Sequence, residues 1–166
     1  MKINIRYIGK GIIIDFVVGL LLCALGGLGV PNPIPLIREK LRIVSIFPQS
    51  ISEDLLILVF LLGVGMTILG TLSVRLELLG GRIDPPEWYS HQIPFLKRLP
   101  DNLLVRSLVI GALSIIIFIP ITYLFLGALQ ITSIPYWNYI VFRGLYGAFI
   151  LPFIGIIVRL DALGGE

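Results

Sequence analysis

Residues 104–129 read LVRSLVIGALSIIIFIPITYLFLGAL, an apolar run whose single charge, Arg106, stands near its start. An α-helix rises about 1.5 Å per residue, so about 20 such residues cross the ~30 Å hydrocarbon core of a bilayer. Ile115-Ile116-Ile117-Phe118-Ile119 is apolar on every side, whereas a strand of a membrane barrel would alternate in segments of about ten residues. A helix is also the economical answer for the backbone, since it satisfies its own amides and carbonyls where no water can.

Three further runs have the same character: Gly11 to Val30, Leu55 to Val74 and Tyr139 to Val158. The composition agrees, with 57% hydrophobic and 14% charged residues, against about 45–50% and about 25% in soluble domains. Polar residues cluster in a few short stretches, too few to coat a soluble core. The fold expected is therefore an all-α integral membrane protein with four transmembrane helices. Pro120 and Pro152 fall inside the third and fourth runs and are expected to kink them. Lys2, Arg6 and Lys10 ahead of the first run also suit a secretory signal peptide. Asp15 interrupts that run, however, and its length is enough to span, so it is read as a span.

Orientation follows from the basic residues. With the amino terminus inside, the cytoplasmic face receives Lys2, Arg6, Lys10, Arg75, Arg82, Lys97, Arg98, Arg106 and Arg159, leaving Arg38, Lys40, Arg42 and Arg143 outside. That bias places both termini in the cytoplasm, and the short loops and absence of targeting clues suggest a plasma (inner) membrane. Trp137, Tyr136 and Tyr139 then fall at the outer headgroup level, where amphipathic rings prefer to lie.

The chain also resembles itself. Val74-Arg75-Leu76-Glu77-Leu78-Leu79-Gly80-Gly81 and Val158-Arg159-Leu160-Asp161-Ala162-Leu163-Gly164-Gly165 both read V-R-L-acid-x-L-G-G, 84 positions apart (75 to 159). The opening halves match more weakly, through Ile5-Arg6 with Gly11 and Val105-Arg106 with Gly111, 100 positions apart (6 to 106). The spacing predicts two tandem helical hairpins as a parallel repeat. Residues 1–81 form the first, with spans 11–30 and 55–74 around an external loop 31–54. Residues 82–102 form a cytoplasmic linker, and residues 103–166 the second hairpin, with spans 104–129 and 139–158. In the long loop, Leu36 to Phe47 reads as an amphipathic interfacial helix, with Ile37, Leu41 and Val44 on one face. The linker, with Pro85-Pro86, Trp88-Tyr89 and Lys97-Arg98, is expected to rest on anionic headgroups.

The ionisable residues near the spans are the functional candidates: Asp15, Arg75, Arg106, Arg143 and Arg159. Asp15 is expected to pair with Arg106, Arg75 or Arg159 near the same leaflet. Arg143, near the opposite leaflet, has Glu53 and Asp54 within plausible reach, or snorkels to the headgroups, as Arg159 would at its helix end. Gly19, Cys23 and Gly27, and likewise Gly63, Thr67 and Thr71, form small-residue stripes that let helices approach closely.

Catalysis is not expected, because the spans hold no cluster of His, Asp, Glu, Ser or Lys, and no P-loop or dinucleotide fingerprint occurs. One cysteine and one histidine, Cys23 and His91, leave no metal set and no disulfide, and no cofactor is expected. The basic residues build no nucleic-acid face. The expected partners are membrane lipids and either another protein or further copies of the chain. The leading functional expectation is a noncatalytic accessory or structural membrane subunit. The alternative is a small oligomeric transporter or channel in which Asp15 carries a proton or cation.

Overall fold

The computed structural model describes residues 5–29, 34–35, 50–81, 99–130 and 133–164. The expected interfacial helix over Leu36 to Phe47, most of the linker and His91 lie outside them. Among the described residues the chain forms four long helices: α1 (Ile5–Gly27), α2 (Ile51–Leu79), α3 (Leu103–Ala128) and α4 (Tyr136–Leu163). All four are long and apolar enough to cross a membrane.

α2 and α4 outrun at both ends the apolar stretches that announced them, while α1 and α3 start earlier and stop earlier than theirs, and the cause is local chemistry at the ends. Ser50 caps α2 by accepting from the Glu53 amide at 3.2 Å, the first half of an S-x-x-E capping arrangement. Glu53 and Asp54 in the same turn sit favourably at the positive end of the helix dipole. Asn102 caps α3 by accepting from the amides of Leu104 (2.9 Å) and Val105 (3.4 Å). At the far ends, the V-R-L-acid segments stay helical and the glycines stop them. The amides of Gly80 and Gly164 donate back to Leu76 and Leu160, and Gly81 takes φ +64°, a left-handed conformation suited to glycine. Both α3 and α4 run on through Pro120 and Pro152.

The helices do not pack in chain order. α1 lies along α4, α2 lies along both α4 and α3, and α3 barely touches α4, giving the spatial order α1–α4–α2–α3. The close crossings are made by glycine. A Cβ on Gly19 would stand 2.5 Å from the Gly147 carbonyl oxygen, and one on Gly63 would stand 2.7 Å from the Gly111 Cα. The α1 stripe thus faces α4, with Cys23 buried against Gly147, while Gly63 of the α2 stripe faces α3.

At the end of the bundle opposite the termini, β1 (Ile34–Pro35) pairs antiparallel with β2 (Ser133–Ile134), so that Ile34 faces Ile134. The core is stacked from that end to the terminal end. It begins with Cys23, Ile51, Leu55 and Tyr139, continues through Val59, Ile110, Ile150 and Ile154, and closes on Val74, Ala162 and Leu163. Outward-facing positions are apolar too, for example Ile13, Leu61, Leu124 and Phe149, as a surface in contact with lipid requires.

Candidate functional site: buried ion pairs on α4

Three ion pairs are buried among the described residues, and all three include a residue of α4. The three aspartates are at most 4% exposed and the three arginines 8%. In the first pair, Arg159 forks onto Asp15 of α1, its Nη1 donating to Oδ2 at 2.5 Å and its Nη2 to Oδ1 at 2.8 Å. Nη2 also reaches the Gly11 carbonyl at 3.5 Å. Glycine makes the room: a Cβ on Gly11 would fall 2.5 Å from the guanidinium carbon, and one on Gly155 would overlap Asp15.

Nearer the β1–β2 end, Arg143 donates from Nε to Asp54 Oδ2 at 2.7 Å and from Nη2 to Oδ1 at 3.2 Å. Its remaining nitrogen, Nη1, donates to the Cys23 carbonyl at 2.8 Å, so this one side chain ties α4 to α2 and α1 together. The Tyr139 hydroxyl donates to the same Asp54 oxygen. A Cβ on Gly26 would come within 2.6 Å of Arg143 Nη1, so glycine again stands beside an arginine.

The third pair joins Arg106 of α3 to Asp161 of α4. Asp161 follows Arg159 by only two residues, a step that turns a helical side chain about 200° around the axis. One therefore faces α1 and the other α3. This pair is less complete than the others. Among the described residues Arg106 Nε has no hydrogen-bond partner, and neither does Oγ1 of the nearby Thr71, which is buried in α2.

Two clefts open at the terminal end. One, of about 520 Å³ between α1, α2 and α4, borders the Asp15–Arg159 pair and has Tyr7, Lys10, Ser73 and Glu77 on its walls. The Tyr7 hydroxyl faces both Glu77 and Arg159. The other, of about 270 Å³ between α2, α3 and α4, is bordered by Thr71, Arg75, Arg106 and Asp161. Among the described residues no group of three or more His, Cys, Asp or Glu side chains is placed to hold a metal ion.

Of the candidates expected from sequence, Asp15 and Arg159 meet, Arg143 meets Asp54, and Arg106 takes Asp161 rather than Asp15. Arg75 is exposed on the second cleft. Two expectations need correction. Arg159 is buried in an ion pair and does not snorkel, because it has an acid on the facing helix, whereas Arg143 takes Asp54, one of its two expected partners. Tyr139 is not a headgroup ring: it is 0% exposed, one turn before Arg143 on the same buried face, whereas Trp137 is 70% exposed. Sequence reasoning missed Asp161 as an ion-pair partner and Thr71 as an unsatisfied donor. The first carried a signal in its place two residues after Arg159; the second carried none. No family model, curated protein or solved structure matches the chain.

Proposed function

We propose that the protein is a noncatalytic accessory or structural subunit of a membrane assembly, crossing the plasma membrane four times with both termini in the cytoplasm. The observation that carries this reading is the commitment of each aspartate buried in the four helices to an arginine on a facing helix. Proton and cation carriers leave such a group to exchange with water; here the charges are spent on fixing helix positions. In hydrocarbon, where apolar burial between helices gives little drive, charge pairs and close glycine crossings are the available glue.

The proposal includes the parallel duplication. α2 and α4 end 84 positions apart (79 to 163), the spacing of Arg75 and Arg159. Gly63 and Gly147, also 84 apart, both sit at close crossings. Ile34-Pro35 and Ile134-Pro135 are 100 apart, and Ile34 is the Cα partner of Ile134, as a two-fold axis through the bundle would require. Exchanging the halves leaves the order α1–α4–α2–α3 unchanged. The 16 positions by which the spacings differ then fall between Pro35 and the start of α2.

The test is native mass spectrometry after gentle detergent extraction, with reporter fusions at both ends. A stable complex with a defined second protein and cytoplasmic reporters are expected. A second reading, a small oligomeric transporter, draws on the cleft beside Asp15. A clean homo-oligomer whose ion flux in proteoliposomes is abolished by Asp15→Asn would establish that reading and sink the first.

A further inference from the structure

We propose that the cleft between α1, α2 and α4 holds one phospholipid whose headgroup joins a phosphodiester to a primary ammonium, the phosphate facing Lys10 and the ammonium facing Glu77. The inference needs only that the chain sits in a membrane, and holds whether it is a subunit or a transporter. The cleft exists because α1 and α2 both rest on α4 and barely touch each other. That leaves about 520 Å³, within the usual range for ligand pockets, about 300–1,000 Å³.

Its walls change from polar to apolar with depth, as a phospholipid does. On α1, Tyr7 and Lys10 stand nearest the helix start, and Ile14 and Val18 follow further in. On α2, which runs the other way, Glu77 and Ser73 stand nearest the helix end, and Leu69 and Met66 lie deeper. These positions recur every three or four residues, so each helix offers one continuous face. From Tyr7 to Val18 that face is about 16 Å long at about 1.5 Å per residue, close to half of the ~30 Å hydrocarbon core and so to the depth of one leaflet. Ile14 and Leu69 are exposed, and an acyl chain can enter between them sideways from the bilayer.

Charge at the mouth selects the headgroup. Asp15 and Arg159 are spent on each other, which leaves, among the described residues lining the cleft, Lys10 on one wall and Glu77 on the other. Lys10 is exposed and Glu77 half-buried, so a ligand in the cleft can reach both. Glu77 faces the Tyr7 hydroxyl, a neutral donor, and its two oxygens keep capacity for more. An anionic lipid would meet Lys10 but bring no cation to Glu77. A quaternary ammonium would bring a cation with no N–H to donate. A primary ammonium has three donors, and its hydrogen bond to a carboxylate is charge-assisted at both ends. The opposed walls therefore match a zwitterion of this second kind of amine.

The experiment titrates the delipidated full chain in detergent, by native mass spectrometry, with short-chain phosphatidylethanolamine, phosphatidylcholine and phosphatidylglycerol. Phosphatidylethanolamine should bind about tenfold more tightly than either of the others. Glu77→Gln keeps the shape and an oxygen for the Tyr7 hydroxyl, and should bring phosphatidylethanolamine down to the level of phosphatidylcholine while leaving phosphatidylcholine unchanged. Lys10→Gln, at an exposed position, and Leu69→Trp, which fills the apolar end, should each weaken all three lipids. Equal binding of phosphatidylethanolamine and phosphatidylcholine by the unaltered chain, or a preference that survives in folded Glu77→Gln, overturns the headgroup assignment. Undiminished binding by folded Lys10→Gln or Leu69→Trp overturns the cleft. Displacement of phosphatidylethanolamine by an equal concentration of glycerophosphoethanolamine, the same headgroup without acyl chains, overturns the lipid assignment.

Discussion

A single arginine illustrates what the interior demands. Arg143 places three nitrogens on three acceptors, two on Asp54 and one on the Cys23 carbonyl, so that a charge costing about 2.5–3.5 kcal/mol at a helix centre in membrane insertion is fully compensated. Removing one partner strands the other. Asp54→Asn and Arg143→Gln should each destabilise the protein by about 3–5 kcal/mol, and replacing both residues together with apolar ones of similar volume should recover most of that loss. Reversible unfolding in mixed micelles measures the cycle; strictly additive losses would show that the residues act independently. Glycine is equally position-dependent. Gly65→Ala, with nothing within 4 Å of the added Cβ, should be neutral or stabilise by up to about 1 kcal/mol. Gly155→Ala, aimed at Asp15, should cost several-fold more than that gain and loosen the first ion pair, readable as a lower thermal midpoint.

At the level of elements, the helices were legible because apolar length is a property of composition, and the Gly80 and Gly164 stops because glycine pairs end helices. The faces of the helices were not legible. A helix apolar all round carries no stripe to say which side is core, so Tyr139 could be placed at the headgroups although it shares the buried face of Arg143. Partners for the charges were legible only by depth: Asp15 had three arginines near its own leaflet, and the choice of Arg159 depends on α1 lying along α4, which no local pattern encodes. The β1–β2 pair escaped notice because two residues per strand make no periodicity. It can be checked directly. In a Cys23→Ala background, Ile34→Cys with Ile134→Cys should oxidise to an internal disulfide, since facing residues of a β pair bring Cα atoms to about 4.5–5.5 Å. Persistence of two free thiols under oxidation would contradict the pairing.

The whole molecule is interleaved. Neither hairpin is built on its own packing: α1 rests on α4, and α3 rests on α2. Residues 1–81 and 82–166, expressed as separate chains in one membrane, should therefore associate into a native-like complex, while each alone should be degraded or remain loosely structured. Co-purification of tagged halves tests this, and a stably folded, isolated second half would refute it. The same interleaving sets an order on synthesis. Asp15, Asp54 and Arg106 all lie ahead of α4 in the chain, and their counter-charges, Arg159, Arg143 and Asp161, are carried by α4, which is synthesised after them. Until that segment arrives, a nascent polypeptide holds three bare charges in or beside the oily phase. A message truncated before α4 thus yields a product that cannot neutralise itself.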